Sequence, residues 1–280
     1  MTSRLLDISA IRTVVKSCVF GQNIVYRHTV SSTNTLAKEL ALAGAELPFA
    51  VIAEEQTAGK GRLKRSWFSP FGKGIWLTIV FPPAEEKTVA GHYNFLFSLA
   101  IAKAIIAVTA ISPSFKWPND IQINERKVCG ILIESCIRSV RDESALGRGD
   151  DQRLFISGAG INVNIASSEF PEDIRHSATS LIAETGKLVN RTELFIEIIK
   201  TVDLLYAVWK ERGIEPIYNE WIHSCTTIGR EVSVHTEQLS LTGTAERAQD
   251  DGSLIVRDSA GEMHRLYAGD VEYCVIRPGE

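Results

Sequence analysis

A cationic segment at residues 56–72 constrains the fold of this chain more than any other stretch. Strand-like runs at 51–54 and 75–81 flank it, so it forms a long loop between two strands. The loop contains two glycines and four cations, namely Gly59, Gly61, Lys60, Arg62, Lys64 and Arg65. Glycines let main-chain amides approach an anion, and Arg and Lys bind carboxylate or phosphate groups. Composition alone leaves two interpretations open: a lid over an anionic ligand, or a solvated basic hairpin tip.

The bulk composition limits the class of protein and its partners. A chain of 280 residues can bury a large core in one or two domains. Its hydrophobic content of 45% and charged content of 23% are ordinary for a soluble globular protein. A net charge of -4 argues against general affinity for nucleic acid or for an anionic membrane. The cationic loop is therefore a local feature of a mildly acidic protein.

Cysteine usage and hydropathy predict a cytoplasmic protein with no membrane partner. None of the 5 cysteines forms a C-x-x-C pair, so neither a zinc site nor a dithiol motif is indicated. The charged N-terminus lacks the apolar segment of a signal peptide. The longest apolar run, 99–111, contains Lys103 and is too short to cross a bilayer. About twenty residues precede the first strand, at 23–28, and they are too few for a separate helix-turn-helix domain.

The first 226 residues predict strands interleaved with helices. Ser31 to Asn34 precede a helical run that ends at Gly44, and their side chains serve either as an N-cap or as ligand contacts. Further helices are predicted at 92–110, 191–212 and 214–225. A hairpin at 115–136 contains Pro118, which indicates an irregularity that brings Lys116, Asn119 and Asp120 together. This argument leaves three roles open for Asp120: a metal ligand, a ribose ligand or a simple turn residue.

The remaining segments suggest a second domain. Residues 138–153 are polar and predict an exposed connection, and 154–165 predict a strand interrupted by glycines at 158 and 160. From residue 227, five short strands with tight turns predict a small β-barrel. The predicted domains are therefore 1–226 and 227–280, packed together without a long linker.

Four segments, in this order, resemble biotin–protein ligases. They are SSTN at 31–34, EEQTAGKGRLKRSWFSPFG at 54–72, KWPNDIQINERKVCGILIE at 116–134 and GAGINVN at 158–164. The closing strands, which end in YAGDVEYCVI, are also similar. Each motif alone is moderately specific, whereas their order and spacing together are strongly specific. The resemblance covers nearly the whole chain from about residue 23.

This resemblance implies a fold and a reaction. The fold is α+β, with a mixed sheet and flanking helices like those of class II aminoacyl-tRNA synthetases and biotin ligases, followed by an SH3-like C-terminal β-barrel. The enzyme would use ATP and Mg²⁺ to convert biotin into biotinyl-5′-AMP. It would then transfer biotin to a lysine of a biotin carboxyl carrier protein domain. Members often dimerise through sheet edges, so a homodimer is an open expectation, and the short N-terminus predicts a monofunctional ligase without a DNA-binding domain.

The resemblance also implies roles for individual residues. Arg62 and Lys127 would be catalytic, because two anions must meet at the α-phosphate. The implied biotin-binding residues are Ser32, Thr33, Asn34, Gln56, Gly59, Lys60, Gly61, Arg62, Lys127, Gly130 and Gly158. The implied nucleotide-binding residues are Lys60, Asn119, Asp120, Lys127 and Asn162, and no residue is assigned as a metal ligand. Trp67 is expected to pack against the end of the loop rather than to touch ligand.

Two residues depart from the loop motif of the family, and three alternative functions are left open. Many relatives have G-R-G-R-x-G-R in the loop, whereas Lys60 and Lys64 here replace an arginine and a glycine. The nearest rival is a lipoate or octanoate–protein ligase on the same fold. A non-catalytic biotin-binding protein is the second. An RNA-binding synthetase paralogue is the third, and the net charge disfavours it.

Overall fold

The computed structural model describes residues 5–85, 87–139, 151–236 and 240–274. Its helices are α1 (Ile8–Val15), α2 (Thr33–Leu42), α3 (Ala90–Thr109), α4 (Leu181–Thr185), α5 (Arg191–Arg212) and α6 (Glu215–His223). Its first seven strands are β1 (Ile24–Val30), β2 (Phe49–Gln56), β3 (Gly74–Val80), β4 (Ser114–Lys116), β5 (Asp120–Ile123), β6 (Arg126–Ser139) and β7 (Asp151–Asn162). The last five are β8 (Glu231–His235), β9 (Ser240–Ala248), β10 (Leu254–Asp258), β11 (Met263–Leu266) and β12 (Asp270–Tyr273).

The first seven strands form one mixed sheet in the order β1-β2-β3-β7-β6-β5-β4. Strands β1 and β2 are parallel, and the other neighbouring pairs are antiparallel. Helix α2 packs on one face through Ala37 and Ala41, against Val51 and Val80 of the sheet. Helices α1, α3, α5 and α6 cover the other face. Because both faces are covered, β2 and β3 are apolar along most of their length rather than alternating.

Helix α3 is the central helix of this second layer. It is long and apolar enough, by length and composition, to cross a membrane, but two thirds of its most apolar stretch lies buried inside the protein. It contacts α5, α6 and the sheet. Burial within the protein therefore accounts for its apolar composition, as in the core helix of a globular protein.

A buried ion pair fixes the strand that leads into the cationic loop. Glu54 of β2 is fully buried and pairs with Arg191, which is 6% exposed. The Glu54 carboxylate also accepts hydrogen bonds from Leu6 N (2.8 Å) and from the Tyr26 hydroxyl (3.0 Å). Burial, with the neighbouring carboxylate, raises the pKa of Tyr26 to about 12. These partners satisfy a charge that would be costly to bury alone, and they anchor the end of β2.

The last five strands form an antiparallel sheet in the order β11-β10-β9-β8-β12. Within the described residues β11 and β12 are the edges of this sheet, so the structure contains an open five-stranded sheet rather than the closed barrel that the sequence predicted. Trp117 joins the two sheets, since its main-chain amide donates to Thr227 Oγ1 and its Nε1 donates to Gly252 O, both at 2.9 Å.

Two details of the predicted strands are wrong. Strand β7 runs through Gly158 and Gly160 without a break, because both glycines are paired in register with β3 and β6. The predicted exposed connection is also shorter, since β6 continues to Ser139 and β7 begins at Asp151, while 140–150 lie outside the described residues. Residues 133–139 pair with 151–157, so their backbone hydrogen bonds are made within the sheet. The polar composition alone did not indicate this pairing.

Candidate active site

A cavity of about 760 Å³ lies between the N-terminus of α2, the glycine-containing strands and the C-terminal sheet. Thirteen of the fourteen implied site residues line it: Ser32, Thr33, Asn34, Gln56, Lys60, Gly61, Arg62, Asn119, Asp120, Lys127, Gly130, Gly158 and Asn162. The exception is Gly59, which is buried behind the wall. A Cβ there would lie 2.5 Å from Trp67 O, so only glycine fits.

The floor of the cavity consists of adjacent glycines on neighbouring strands. Gly160 of β7 pairs with Gly130 of β6, and Gly158 pairs with Leu132. A Cβ on Gly160 would lie 2.1 Å from Trp67 Nε1, and one on Gly158 would lie 2.0 Å from Asn34 Oδ1. The missing side chains therefore create a trough in which other groups contact the backbone of the sheet directly.

Trp67 lines the trough, so the expectation that it only packs the loop end is incomplete. Its ring lies over Gly130 and Gly160, and the Lys127 ammonium lies 5.2 Å from the ring centroid. Its Nε1 is buried and has no hydrogen-bond partner among the described residues. A buried donor without a partner is unusual, and it leaves an unused hydrogen bond at the floor of the cavity.

A chain of hydrogen bonds forms the polar wall beside the trough. Gln56 Oε1 accepts from the main-chain amide and the hydroxyl of Thr33 (2.9 and 3.0 Å), and Gln56 Nε2 donates to Ser69 Oγ (2.9 Å). Thr78 Oγ1 contacts Thr33 Oγ1 (2.8 Å) and Asn34 Oδ1 (2.7 Å). Asn34 Nδ2 in turn donates to Glu134 Oε2 (2.8 Å). We call the three glycines at 130, 158 and 160, together with this wall, the glycine half of the cavity.

Ser32 precedes α2, and its side chain is 2% exposed. Its hydroxyl does not cap the helix and makes no hydrogen bond to any residue that the structure describes. The simple capping interpretation therefore fails for Ser32. A hydroxyl that lines a cavity without a protein partner is free to bind a ligand group.

The cationic loop folds back on itself. Lys60 and Ser66 form an antiparallel bridge, Gly61 N donates to Arg65 O (2.7 Å) and Trp67 N donates to Gly59 O (2.8 Å). A 3-10 turn, Arg62–Lys64, forms the tip. Lys64 has φ 61°, a left-handed conformation that costs a side-chain-bearing residue about 1–2 kcal/mol. This explains why glycine suits the position that Lys64 occupies here.

Five cations surround the opposite half of the cavity, which we call the cationic half: Lys60, Arg62, Arg65, Lys116 and Lys127. Lys127 Nζ lies 2.6 Å from Asp120 Oδ1. Arg62 Nη1 donates to Asn119 Oδ1 at 3.1 Å. Asn119 also donates from Nδ2 to Ile131 O (2.5 Å), so it positions Arg62 and keeps one N–H for a ligand.

Residues of the C-terminal sheet complete the cationic half, and sequence reasoning missed them. Arg62 Nη1 donates to Gly269 O (3.3 Å), and Arg65 forms an ion pair with Asp270. Further cavity-lining residues from this sheet are His235, Val271 and Glu272. No spacing along the sequence reveals contacts more than 200 residues apart. Lys116 does line the cavity with Asn119 and Asp120, as the irregularity at Pro118 predicted.

Burial affects the charged groups here. Desolvation lowers the pKa of Arg62 and of Lys116, and the nearby carboxylates of Asp120 and Asp270 oppose that effect. A cation held in a poorly solvated cavity attracts an anion more strongly than one in water. The cationic half is therefore suited to phosphate or carboxylate, and the glycine half to an apolar ring with polar edges.

Comparisons with known proteins agree with this geometry. The family model for the biotin/lipoate A/B protein ligase family matches residues 26–151, and that for the biotin protein ligase C-terminal domain matches 227–273. The bifunctional ligase/repressor BirA of Bacillus spizizenii is 33% identical over 267 residues, which cover 95% of this chain and 79% of the relative. The biotin–[acetyl-CoA-carboxylase] ligase of Paracoccus denitrificans is 32% identical over 243 residues, which cover 83% of this chain and 93% of the relative.

A solved structure extends the agreement to the fold. The biotin protein ligase of Aquifex aeolicus, in complex with biotin and ATP, superposes with a TM-score of 0.73 at 26% identity. The match covers 90% of this chain and 99% of that one. Fold and cavity thus define a member of the biotin/lipoate ligase class. Within that class, the chain belongs to the biotin protein ligase family.

Proposed function

We propose that this protein is an ATP-dependent biotin–protein ligase. It joins biotin to ATP, giving biotinyl-5′-AMP and pyrophosphate, and then transfers biotin to a lysine of a biotin carboxyl carrier protein domain. The observation that carries this proposal is the two-part cavity. A glycine trough with a hydrogen-bonding wall lies directly beside five cations, which suits a ligand with a neutral bicyclic ring at one end and a carboxylate at the other.

The glycine half recognises the biotin rings. A buried ureido group has two N–H donors and one carbonyl acceptor, and each needs a partner. The free hydroxyl of Ser32 and the remaining N–H of Gln56 are suitable groups, because the wall already fixes the rest of Gln56. Gly130, Gly158 and Gly160 let Trp67 and Asn34 pack directly against the sheet, which leaves room above these two side chains for the thiophene ring and valeryl chain.

The cationic half performs the first step. The biotin carboxylate oxygen attacks the α-phosphorus, the bond to the β-phosphate breaks, and its electron pair leaves with pyrophosphate. Arg62 and Lys127 offset the repulsion between the two anions and stabilise the charge of the transition state. For this, Lys127 must exchange its contact with Asp120 for a contact with phosphate.

Magnesium enters as part of the nucleotide substrate in this proposal. It prefers oxygen ligands and keeps several waters. Asp120 offers a carboxylate in the cavity. Asn162 Nδ2 donates to Thr179 O (3.0 Å), whereas Asn162 Oδ1 accepts no bond from a described residue. The oxygen atoms of both side chains are suitable ligands for a hard cation, and both support a nucleotide at this side of the cavity.

The second step needs a protected acyl-adenylate. The carrier lysine attacks the acyl carbon, the acyl–oxygen bond to AMP breaks, and the amine proton passes to solvent. The loop at 57–66 carries Arg62 at its tip, so its closure would exclude water from the labile intermediate. The C-terminal sheet, although open among the described residues, would be an SH3-like domain. The protein would act in the cytoplasm, and two copies would pair through sheet edges.

A coupled assay tests the proposed function. The full chain with ATP and Mg²⁺ is expected to release pyrophosphate only when biotin is present, and to add one biotin to a recombinant carrier domain, read by mass spectrometry. Lipoate in place of biotin is the matched control. Tight binding and activation of lipoate without biotin would instead favour the lipoate ligase, and biotin binding without pyrophosphate release would favour a non-catalytic binding protein.

A further inference from the structure

Lys116 is a cation of the active cavity to which neither the motifs nor the proposed chemistry gives a task. It ends β4, immediately before the irregular turn that carries Asn119 and Asp120. Its ammonium lies 4.7 Å from the ring centroid of Tyr273, which belongs to β12 of the C-terminal sheet. A residue of the second domain thus holds a cation of the first by a cation–π contact.

The cations of the cavity differ in how their charges are balanced. Lys127 is paired with Asp120 at 2.6 Å, and Arg65 is paired with Asp270. Arg62 donates to two neutral oxygens. Lys116 and Lys60 form no ion pair with any residue that the structure describes, but Lys60 is exposed, whereas Lys116 is half-buried near Asp120, Asp270 and Glu272. Lys116 is therefore a partly desolvated cation with no bound counter-ion, which is the arrangement of a preformed anion site.

We propose that Lys116 binds the β- and γ-phosphates of ATP and stabilises the departing pyrophosphate, and that Tyr273 is the positioning residue that holds it there. This inference rests on the proposed function. The α-phosphate already has Arg62 and Lys127, but the leaving group gains negative charge as the α–β bond breaks. A cation that is not already neutralised stabilises that charge most effectively.

Tyr273 is itself fixed, so it can orient Lys116. The Arg230 guanidinium lies 4.3 Å from the same ring, and the Tyr273 hydroxyl lies 3.1 Å from Thr226 Oγ1. Its strand pairs with β8, where Tyr273 is opposite Val232. The C-terminal sheet would thereby contribute to nucleotide binding through the orientation of a lysine in the other domain.

Lys116→Met in the full chain tests the anion contact. We expect the KM for ATP and the inhibition constant of pyrophosphate to rise by roughly tenfold to a hundredfold, because a charge-assisted contact is lost. Biotin affinity and transfer from chemically prepared biotinyl-AMP should stay unchanged, since neither involves the β- and γ-phosphates. Lys187→Met, which removes an exposed lysine outside the cavity, is the matched control.

The outcomes separate this inference from the proposed function. If the unmodified protein makes no pyrophosphate with biotin, the proposed function fails. If it does, and Lys116→Met leaves both ATP and pyrophosphate constants unchanged, only the assignment of Lys116 is overturned. An equal loss of biotinyl-AMP binding would also overturn it, because the lysine would then act on the whole ligand.

Two substitutions at Tyr273 test the positioning role. Tyr273→Leu removes the ring and should reproduce the ATP-specific rise in KM by several-fold, with kcat for transfer from biotinyl-AMP retained. Tyr273→Phe keeps the ring and should restore ATP affinity despite losing the contact with Thr226. A thermal melt of each variant reports folding, and equal ATP affinities for Leu and Phe in folded protein would contradict the proposal.

Discussion

The two halves of the cavity are built in different ways. The glycine half lies on paired strands, and its wall is a continuous chain of hydrogen bonds that runs from Ser69 to Glu134. The cationic half depends on side chains from a folded-back loop, an irregular turn and a second sheet. Its contacts Lys127–Asp120 and Arg65–Asp270 occupy the same cations that an anionic ligand needs.

Because of this difference, the two halves should respond differently when a ligand binds. The glycine half can receive a neutral ring with little movement, because its polar groups are already satisfied or directed. The cationic half must exchange internal contacts for phosphate contacts. Biotin affinity should therefore respond to changes in the sheet, while the adenylation rate and nucleotide affinity should respond to changes in the loop, the turn and the C-terminal sheet.

The largest expected effect is that of Lys127→Ala on chemistry. Removing a charged donor that stabilises the transition state should reduce the adenylation rate by about 10²–10³-fold. Biotin binding should stay measurable, because the glycine half is left intact. Rapid-quench measurement of biotinyl-AMP, beside biotin titration, checks both statements. Unaltered adenylation in this variant would remove Lys127 from the mechanism.

Gly158→Ala tests the glycine half and should have the next largest effect. The new methyl group would meet Asn34 Oδ1 at 2.0 Å, and it would force Asn34 from its bonds to Thr78 and Glu134. Disrupted buried hydrogen bonds cost roughly 1–3 kcal/mol, so biotin affinity should fall by about tenfold to a hundredfold.

A second glycine serves as the control for stability. Gly61→Ala places its Cβ no closer than 3.4 Å to any neighbour and requires no positive φ. Its melting temperature should match that of the unmodified protein, whereas Gly158→Ala should melt lower. If Gly158→Ala melts like Gly61→Ala and binds biotin as tightly as the unmodified protein, the direct contact of Asn34 with the sheet does not matter.

The sequence predicted the two halves unequally, for a physical reason. Motif order located the glycines, Gln56 and Ser32, because each lies on a regular element whose neighbours are set by strand pairing or by a helix start. The position of Trp67 over Gly130 and Gly160 was not predicted, since it depends on the fold of the loop. Asp270 and Tyr273 were missed because they approach the cavity only when two sheets pack together.

The same reasoning explains the wrong strand details. Glycines at 158 and 160 suggested a break, but pairing with β3 on one side and β6 on the other keeps the backbone extended. Helix α5 was predicted with its bounds Arg191–Arg212, because Asn190 caps its start and Gly213 ends it. Tertiary pairing, which no local pattern encodes, decided the rest.

Asp270→Asn should have a smaller effect, confined to the cationic half. Arg65 is 68% exposed, so its pair with Asp270 contributes at most about 1 kcal/mol. Removing the carboxylate frees Arg65 for nucleotide, and the KM for ATP should fall by about two- to fivefold at low salt. The effect should shrink as ionic strength rises.

Steady-state kinetics at two salt concentrations checks this prediction. Glu197→Gln, which breaks an exposed pair with Lys200 on α5, is the control and should leave the KM for ATP unchanged. A higher KM in Asp270→Asn would mean that the ion pair holds the loop in its working position rather than competing with nucleotide.

Lys64→Gly should have the smallest effect, and it tests the tip of the cationic loop. The substitution relieves the left-handed strain at φ 61° but increases the freedom of the unfolded chain, and these terms nearly cancel within about 1 kcal/mol. The melting temperature should therefore change little, and biotin affinity should not change. Hydrogen exchange of 59–67 should become faster, because glycine loosens the turn. Exchange that stays as slow as before would show that the bridge between Lys60 and Ser66, rather than residue 64, controls how the loop opens.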